Sequence, residues 1–181
     1  RYSLLAPGKR IRPVMAVLVC GYFGDCEDVV LDPACAIEMV HTASLILDDM
    51  PSMDDASLRR GRPTNHLVFG EDTATLASVA LLNRAFGVVA ECEHLPAETR
   101  LAISRLLSDS VGSNGIIAGQ FDDLRLDRGH SLDETGLTRM YSQKTGALFV
   151  AALETGARVA RVAPEWVAAV HESPEPVHRD L

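Results

Sequence analysis

The feature that most constrains the fold is a helix-length segment that is apolar on nearly every face and ends in two aspartates. Between residues 34 and 49 the apolar residues include Ile37, Val40, Leu45 and Leu47, without sustained period-two alternation. A helix that is apolar all round has to be enclosed by other helices. The segment therefore predicts an all-α fold packed around it, and its few polar residues become the informative ones.

Helix signals elsewhere agree with this class. A turn-rich loop is expected from residue 21 to residue 33, because glycine, aspartate and proline interrupt the pattern there. Three glycines inside the later pattern each cost a helix on the order of 1 kcal/mol, which close packing would offset. The expected helices cover residues 13–21, 34–49, 72–93 and 96–126, and a last one opens at the capping-box pair Ser131 and Glu134 and carries Met140, Tyr141 and Lys144.

Composition narrows the functional classes. A chain of 181 residues, 47% apolar, is long enough for one buried core and too short to suggest several domains. The net charge of -8 provides no global positive field for nucleic acid or an anionic membrane. Four cysteines without a C-x-x-C pair predict neither a zinc knuckle nor a disulfide framework. With no uninterrupted apolar stretch of about twenty residues, we expect a cytoplasmic protein without a membrane span.

Four carboxylates follow the apolar segment closely. Asp48, Asp49, Asp54 and Asp55 lie within eight residues and would repel one another strongly unless cations neutralised them. Carboxylate oxygens suit Mg²⁺, which commonly binds through one or two protein carboxylates and phosphate oxygens. Pro51 interrupts the helix, so the second pair can fold back toward the first. The segment predicts a magnesium site at the mouth of the core.

Basic side chains stand beside these carboxylates. Arg59, Arg60 and Arg62 can bind phosphate oxygens bidentately, which fits a diphosphate bridged by metal ions. The alternative is a solvated loop of self-compensating salt bridges. Two weaker basic signals, each with an ordinary surface explanation, are the cluster Lys9, Arg10 and Arg12 and the single Lys144 near a helix end.

Four segments together resemble the trans-isoprenyl diphosphate synthases, also called polyprenyl synthetases. They are PGKRIRP (7–13), EMVHTASLILDDMPSMDDASLRRGRPTNH (38–66), GIIAGQFDDL (115–124) and YSQKTGALF (141–149), in the family's order and at similar spacing. The resemblance implies the isoprenoid synthase fold, with antiparallel helices around a central apolar cavity, and a homodimer. It also implies Mg²⁺ as cofactor, with isopentenyl diphosphate and an allylic diphosphate as substrates.

The same resemblance assigns roles to individual residues. The family's metal-binding aspartates match Asp48, Asp49 and Asp54. Arg59 matches an arginine that binds the allylic diphosphate. The site for isopentenyl diphosphate matches Lys9, Arg12, His41 and Arg60. Residues near the allylic diphosphate and its metals are Lys144, Thr145 and Gln120, with Asp123 a further member. Catalysis is expected to rest on Asp48, Asp49 and Lys144, which would promote departure of the diphosphate from the allylic substrate.

Product length is expected to depend on the apolar cavity below the metals. Ala43 and Ser44 lie about one turn before Asp48 and are small, which favours a product longer than fifteen carbons. Met39, another turn down, is a candidate floor, although ordinary core packing explains it equally well. The two extra residues in the aspartate motif also resemble geranylgeranyl diphosphate synthases of bacteria and plants. A geranylgeranyl diphosphate synthase is therefore the expected activity.

The sequence departs from the family pattern near its end. The second aspartate-rich motif, D-D-x-x-D, is absent, and we expect a missing stretch between Glu172 and Ser173. Residues 1–181 are accordingly expected to form one helical domain whose start, C-terminal part and this stretch are missing. Three alternatives stay open: a farnesyl diphosphate synthase, a non-catalytic partner subunit of the same fold, and a helical protein whose charged loop is only surface. For His41 alone, a satisfied core histidine is the usual explanation.

Overall fold

The computed structural model describes residues 1–24, 27–163 and 165. Helices account for nearly all of its regular structure, as expected for the all-α class. Both the segment from Trp166 onward and the expected gap between Glu172 and Ser173 lie outside the described residues. The helices are α1 Ile11–Phe23, α2 Glu27–Asp48, α3 Asn65–Phe69, α4 Glu71–Ala90, α5 Ala97–Val111, α6 Ile116–Asp127, α7 Glu134–Tyr141 and α8 Ala147–Val159.

Helix α2 is the central element, as its all-round apolar sequence predicts. It packs against α1, α4 and α8, and touches α5. Enclosure by several neighbours explains why an apolar residue is tolerated at almost any position around this helix. The buried residues of the main core cluster come from five helices and the loop before α5, among them Ile37, Val40, Val89, Ile103, Leu107 and Leu148.

The expected loop over residues 21–33 is wrong, because α2 already begins at Glu27. Pro33 lies inside the helix and has no N–H to donate to the carbonyl of Val29 one turn earlier. That carbonyl is instead 3.1 Å from Nε2 of His94, a residue of the connection between α4 and α5. A hydrogen bond from outside the helix therefore replaces the one that proline removes.

The single helix expected over residues 96–126 is also wrong. It is divided into α5 and α6 by a turn from Gly112 to Gly115. The next helix, α7, has Asp133 as its N-cap, whose side chain accepts a hydrogen bond of 2.8 Å from the backbone nitrogen of Gly136. Ser131, expected to cap this helix, lies outside it.

A five-residue π-helix, Ser142–Gly146, joins α7 to α8 without a loop. Its backbone hydrogen bonds span five residues instead of four, a geometry found mostly as single turns at functional sites. The turn carries Lys144 and Thr145. The sequence predicted a helix here but not the change in its winding.

Between α2 and α4 the chain forms a small hairpin. Strands β1 Leu58–Arg59 and β2 Arg62–Pro63 are antiparallel, and Arg59 pairs with Arg62. Arg60 has a φ of 55°, in the left-handed region that residues other than glycine adopt at a cost. This hairpin, which the sequence analysis did not predict, fixes where the arginines of the segment point.

The absence of a membrane span stays a prediction. Asp28–Asp48 and Glu71–Ala90 are long and apolar enough to cross a membrane by length and composition, and the most apolar stretch of the first is 61% buried in the protein and that of the second 22%. Burial of the first agrees with its place in the core. Cys20 is disulfide-bonded, so the expectation of no disulfide is wrong for this residue, whereas Cys35 and Cys92 are free.

Candidate functional site

The end of α2 folds the two aspartate pairs together. After Asp48 the helix stops, and the backbone nitrogen of Asp54 donates a hydrogen bond of 3.0 Å to the carbonyl of Asp48. The turn is closed further by Asp55, whose nitrogen donates to the carbonyl of Met50 at 3.0 Å. The predicted fold-back of the second pair toward the first is therefore confirmed.

The carboxylates affect one another electrostatically. Burial and then the nearby charge of Asp48 raise the pKa of Asp54. Oδ1 of Asp48 is itself buried and has no hydrogen-bond partner among the residues described. A buried carboxylate oxygen without a partner is costly unless a cation neutralises it. The arrangement has the oxygen donors that suit a magnesium ion.

Arg59 holds the second aspartate of the motif. Its Nε and one terminal nitrogen donate to the same Oδ1 of Asp49, at 2.8 and 2.5 Å, and that nitrogen lies 3.7 Å from Asp48. Asp49 is only 3% exposed. The hydrogen bond to Asp49 raises the pKa of Arg59. A metal ion at Asp49 would therefore have to use its other oxygen or displace this arginine.

Lys144 lies near the other carboxylate oxygen of Asp48. It forms an ion pair with Asp123 of α6, and its Nζ lies 3.8 Å from Asp48. Burial lowers the pKa of Lys144, but the hydrogen bond to Asp123 and the charges of Asp48, Asp123 and Asp54 outweigh it, so the pKa lies above its usual value. Lys144 thus remains a cation at the centre of the site.

The backbone of Lys144 rests on Gly119 of α6. A β-carbon at Gly119 would lie 2.7 Å from the α-carbon of Lys144, closer than such atoms are found in proteins. On the same helix, Nε2 of Gln120 is buried without a partner in the described part of the chain. Thr145, the neighbour of Lys144, is exposed. Gly119 has a low helix propensity, but its missing side chain allows the π-helix to pack closely against α6. This close packing offsets the cost of the glycine.

A second charged group surrounds Glu38, two to three turns earlier on α2. Glu38 is 6% exposed and forms ion pairs with Arg10 and, at 3.6 Å, with Arg60. Gly8 lies against the Arg60 guanidinium, because a β-carbon there would stand 2.9 Å from it. Lys9, the next residue, is exposed. The PGKRIRP segment and the hairpin arginine therefore meet, as the resemblance implies.

His41 completes this basic group. Its Nε2 is 3.2 Å from a terminal nitrogen of Arg12, whose guanidinium lies 4.4 Å from the ring centre of Phe149. Burial, followed by the positive charges of Arg12, Arg60, Arg59 and Arg10, lowers the pKa of His41 to about 3. His41 is therefore a neutral imidazole among arginines, which leaves the positive charge of this group on the guanidinium ions.

The three candidate chain-length residues differ in their surroundings. Ala43 is 2% exposed, and its carbonyl accepts a hydrogen bond of 2.8 Å from the hydroxyl of Ser78 on α4. Ser44, four residues before Asp48 and thus on the same side of α2, is half-buried. Met39 packs against the main core cluster. Ser44 is the best placed of the three to line a cavity below Asp48.

The residues that sequence analysis missed are the partners of the charged groups. Glu38 joins Arg10 to Arg60, and Asp123, which was only a further candidate, pairs with Lys144. A signal for Glu38 existed, because an acidic residue on a helix that is apolar all round has to be paired. The partner, 28 residues away in the chain, could not be identified without the fold.

Comparison with known proteins identifies the family. The polyprenyl synthetase family profile matches residues 1–176. A geranylgeranyl diphosphate synthase of Pantoea ananas is 48% identical over 169 residues, which cover 91% of this chain and 55% of the relative. Geranylgeranyl pyrophosphate synthase 7 (chloroplastic) of Arabidopsis thaliana is 46% identical over 168 residues, covering 88% and 46% respectively.

Solved structures give the same result for the fold. A crystal structure of an FPP/GFPP synthase from Zymomonas mobilis superposes with a TM-score of 0.90 at 36% identity, covering 94% of this chain and 62% of that one. The isoprenoid synthase fold is therefore confirmed. This chain spans about half the length of the curated relatives it matches, 55% of the one from Pantoea ananas. These matches agree with the four sequence segments and the two charged groups on α2. The chain belongs to the polyprenyl synthetase family.

Proposed function

We propose that the protein is a prenyltransferase that condenses isopentenyl diphosphate with an allylic diphosphate to give geranylgeranyl diphosphate. The observation that carries this proposal is the presence of two charged groups on one buried helix. Asp48 and His41 are seven residues apart on α2, which corresponds to about 10 Å along the axis. Two diphosphates bound at these groups would hold their prenyl chains close enough to react.

The carboxylate end is proposed to bind the allylic diphosphate. Asp48, Asp49 and Asp54 would hold Mg²⁺, which when bound neutralises diphosphate charge and so favours departure of the leaving group. Arg59 and Lys144 supply positive charge to the two oxygens of Asp48. Their guanidinium and ammonium groups would donate hydrogen bonds to the diphosphate as the C–O bond breaks and its electron pair leaves with the phosphate oxygen.

The arginine group is proposed to bind isopentenyl diphosphate. Arg12 and Arg60, with the neutral His41 and the exposed Lys9, can donate hydrogen bonds to its phosphate oxygens. The electron pair of its double bond then forms the new C–C bond to the allylic carbon, and loss of a proton from the adjacent carbon gives the product alkene. Holding both partners on one helix makes this step nearly unimolecular.

Product length is proposed to depend on the half-buried face of α2 below Asp48. Ser44 and Ala43 are small, so neither closes the cavity with an aromatic ring, and Met39 stands one turn further. The surrounding helices are apolar and exclude water from the allylic cation. These features favour a twenty-carbon product over a fifteen-carbon one, and the relatives named above are called geranylgeranyl synthases.

The sequence analysis left a second candidate open, a non-catalytic partner subunit. Within the 181 residues the metal-binding carboxylates come from the segment 48–54, and the D-D-x-x-D motif of the family is absent. An incomplete metal site would bind diphosphate without turning it over. Such a subunit would act by changing the product of an active synthase.

A product assay separates these candidates. The chain is incubated with Mg²⁺, radiolabelled isopentenyl diphosphate and dimethylallyl, geranyl or farnesyl diphosphate, and the dephosphorylated products are separated by chain length. Twenty-carbon alcohol as the main product is the expected result, and fifteen-carbon alcohol would identify a farnesyl synthase. No turnover alone, with a changed product pattern after mixing with an active homologue, would establish the partner subunit.

We also propose a cytoplasmic homodimer. Support comes from α4, which is apolar but little buried, and whose Leu76 and Val79 are 69% and 56% exposed. A second copy covering this face would remove those side chains from water. Light scattering of the purified chain should give twice the mass of one chain, and Leu76→Glu should give the mass of one; a single-chain mass for both would reject the dimer.

A further inference from the structure

We propose a metal site for a zinc-like ion, formed by Asp32, Cys92 and His94. Asp32 lies on α2, and the other two residues lie in the connection between α4 and α5. One ligand atom of each comes within 4.8 Å of the other two. Asp32 is sixteen residues from Asp48 along α2, or about 24 Å, so this group is separate from the carboxylate end.

The hydrogen bond between His94 and α2 prepares the histidine as a ligand. Because Pro33 leaves the Val29 carbonyl without its helical donor, Nε2 of His94 donates to that oxygen at 3.1 Å. A carbonyl can only accept, so the proton is on Nε2 and Nδ1 carries the free electron pair. A ligating histidine typically donates its other nitrogen's proton to such a carbonyl, which fixes ring orientation and tautomer.

Cys92 supplies the ligand that selects the metal. It is 2% exposed, and its Sγ lies 3.1 Å from the Val88 carbonyl. Binding of a divalent ion would release the thiol proton and place positive charge between the sulfur and the Asp32 carboxylate. Thiolate, imidazole and carboxylate together suit Zn²⁺ or Co²⁺, whereas Mg²⁺ prefers oxygen ligands.

The geometry needs only side-chain movement. In a tetrahedral zinc site, sulfur and nitrogen ligands are about 3.5 Å apart, given metal–ligand bonds of about 2.0–2.3 Å. Asp32 and His94 are both exposed, so their side chains can rotate inward by about the 1 Å that is required. With three protein ligands, the fourth position is open to water. The bound ion would fasten the first half of α2 to the α4–α5 connection.

Cobalt titration tests the site directly. The purified chain, in anaerobic buffer without added thiols, is titrated with Co²⁺ and followed by absorption. One equivalent is expected to produce the near-ultraviolet charge-transfer band of a cobalt–thiolate bond, and Zn²⁺ should then remove it. Co²⁺ at the carboxylate end has only oxygen ligands and gives no such band, so the two sites are distinguishable in the same experiment.

Variants identify the ligands. Cys92→Ser is expected to abolish the band, and Asp32→Asn and His94→Ala should each weaken Co²⁺ binding at least tenfold. Cys35→Ser, which alters the other free cysteine, should leave it unchanged. Absence of a thiolate band in the unaltered chain, or loss of the band with Cys35→Ser, would overturn the proposal.

Thermal unfolding gives a second measurement that does not need a folded Cys92 variant. Ligand that binds only the folded state raises the midpoint of unfolding. Excess Zn²⁺ is expected to raise the midpoint of the unaltered chain, and this increase should be smaller for His94→Ala. An equal increase for both proteins would place the zinc elsewhere and reject the site.

Discussion

Gly119 and Lys144 touch backbone to backbone: a β-carbon added at Gly119 would stand 2.7 Å from the α-carbon of Lys144. Lys144 in turn pairs with Asp123 and lies 3.8 Å from Asp48. The position of this ammonium group in the proposed active site therefore depends on the absence of a side chain one helix away.

Gly119→Ala should consequently reduce prenyltransferase activity without unfolding the protein. Overpacking of this kind costs about 1–3 kcal/mol, and a shift of about 1 Å at a catalytic group can cost about 100-fold in rate. Gly24→Ala is the matched control, since Gly24 has extended backbone and nothing within 4 Å of an added β-carbon. Steady-state kinetics and circular dichroism of both variants measure the effect, and full activity of Gly119→Ala would show that the contact does not position Lys144.

Asp48→Asn should reduce turnover by about 100-fold or more, because it removes the charge of the carboxylate at the centre of the proposed metal site. Asp55→Asn is the control within the same segment: Asp55 is exposed and has a φ of 48°, a conformation that asparagine tolerates. Turnover is measured as a function of Mg²⁺ concentration. Equal losses in the two variants would indicate a general charge effect instead of a specific ligand.

Glu38→Gln should destabilise the protein by about 1–3 kcal/mol, because it leaves Arg10 and Arg60 beside a neutral group in a partly buried position. Glu91→Gln is the comparison, since the Arg84–Glu91 pair, at 2.7 Å, is exposed and should contribute little. Urea denaturation of both variants measures the difference. A Glu38→Gln variant as stable as the unaltered chain would mean that the arginines do not need this carboxylate.

His41 predicts a specific sensitivity to acid. Its pKa is about 3 in the folded protein and about 6.5 when unfolded, so below pH 6.5 the unfolded chain binds a proton that the folded chain does not. The contribution of the neutral imidazole is therefore complete above about pH 7 and declines as the pH falls toward 3. When the pH is lowered from 7 to 5, the free energy of unfolding of the unaltered chain should fall. For His41→Gln this fall should be smaller by about 1–2 kcal/mol. Urea denaturation at both pH values, with the exposed His130→Gln as control, tests the sign.

Ser44→Phe should shorten the product. An aromatic ring on the half-buried face of α2, one turn before Asp48, would close the proposed cavity at about fifteen carbons. Leu31→Phe places the same ring on an exposed part of the helix and should change nothing. Chain-length analysis of the products separates the two outcomes, and an unchanged product from Ser44→Phe would move the floor of the cavity to another residue.

Much of the centre of this fold could be predicted because α2 combines an unusual composition with a clear end. A helix that is apolar on all sides has to be buried in the protein core. The Asp48–Asp49 pair followed by Pro51 marks where this helix ends and solvent begins. The start of α2 could not be predicted in the same way. Proline rules are local, and the hydrogen bond from His94 that compensates for Pro33 comes from 65 residues away from Val29.

The site shows the same division between local and distant information. The residue types at its metal and arginine ends follow from sequence, since clustered charges need partners of opposite charge. The identity of each partner does not follow, because ion pairs such as Arg10–Glu38 and Lys144–Asp123 join residues 28 and 21 positions apart. The π-helix has no composition signal of its own, and it could be found only in the structure.

Because the π-helix Ser142–Gly146 holds one residue more than an α-helical turn would, it rotates the helix that follows by about 100°. Helices α7 and α8 can therefore each turn their own apolar side inward, even though a continuous α-helix through the same residues would misalign one of them. The extra residue in the turn thus lets two helices that follow one another without a loop bury faces that would not line up in a regular α-helix. Lys144 lies at the turn where the winding changes.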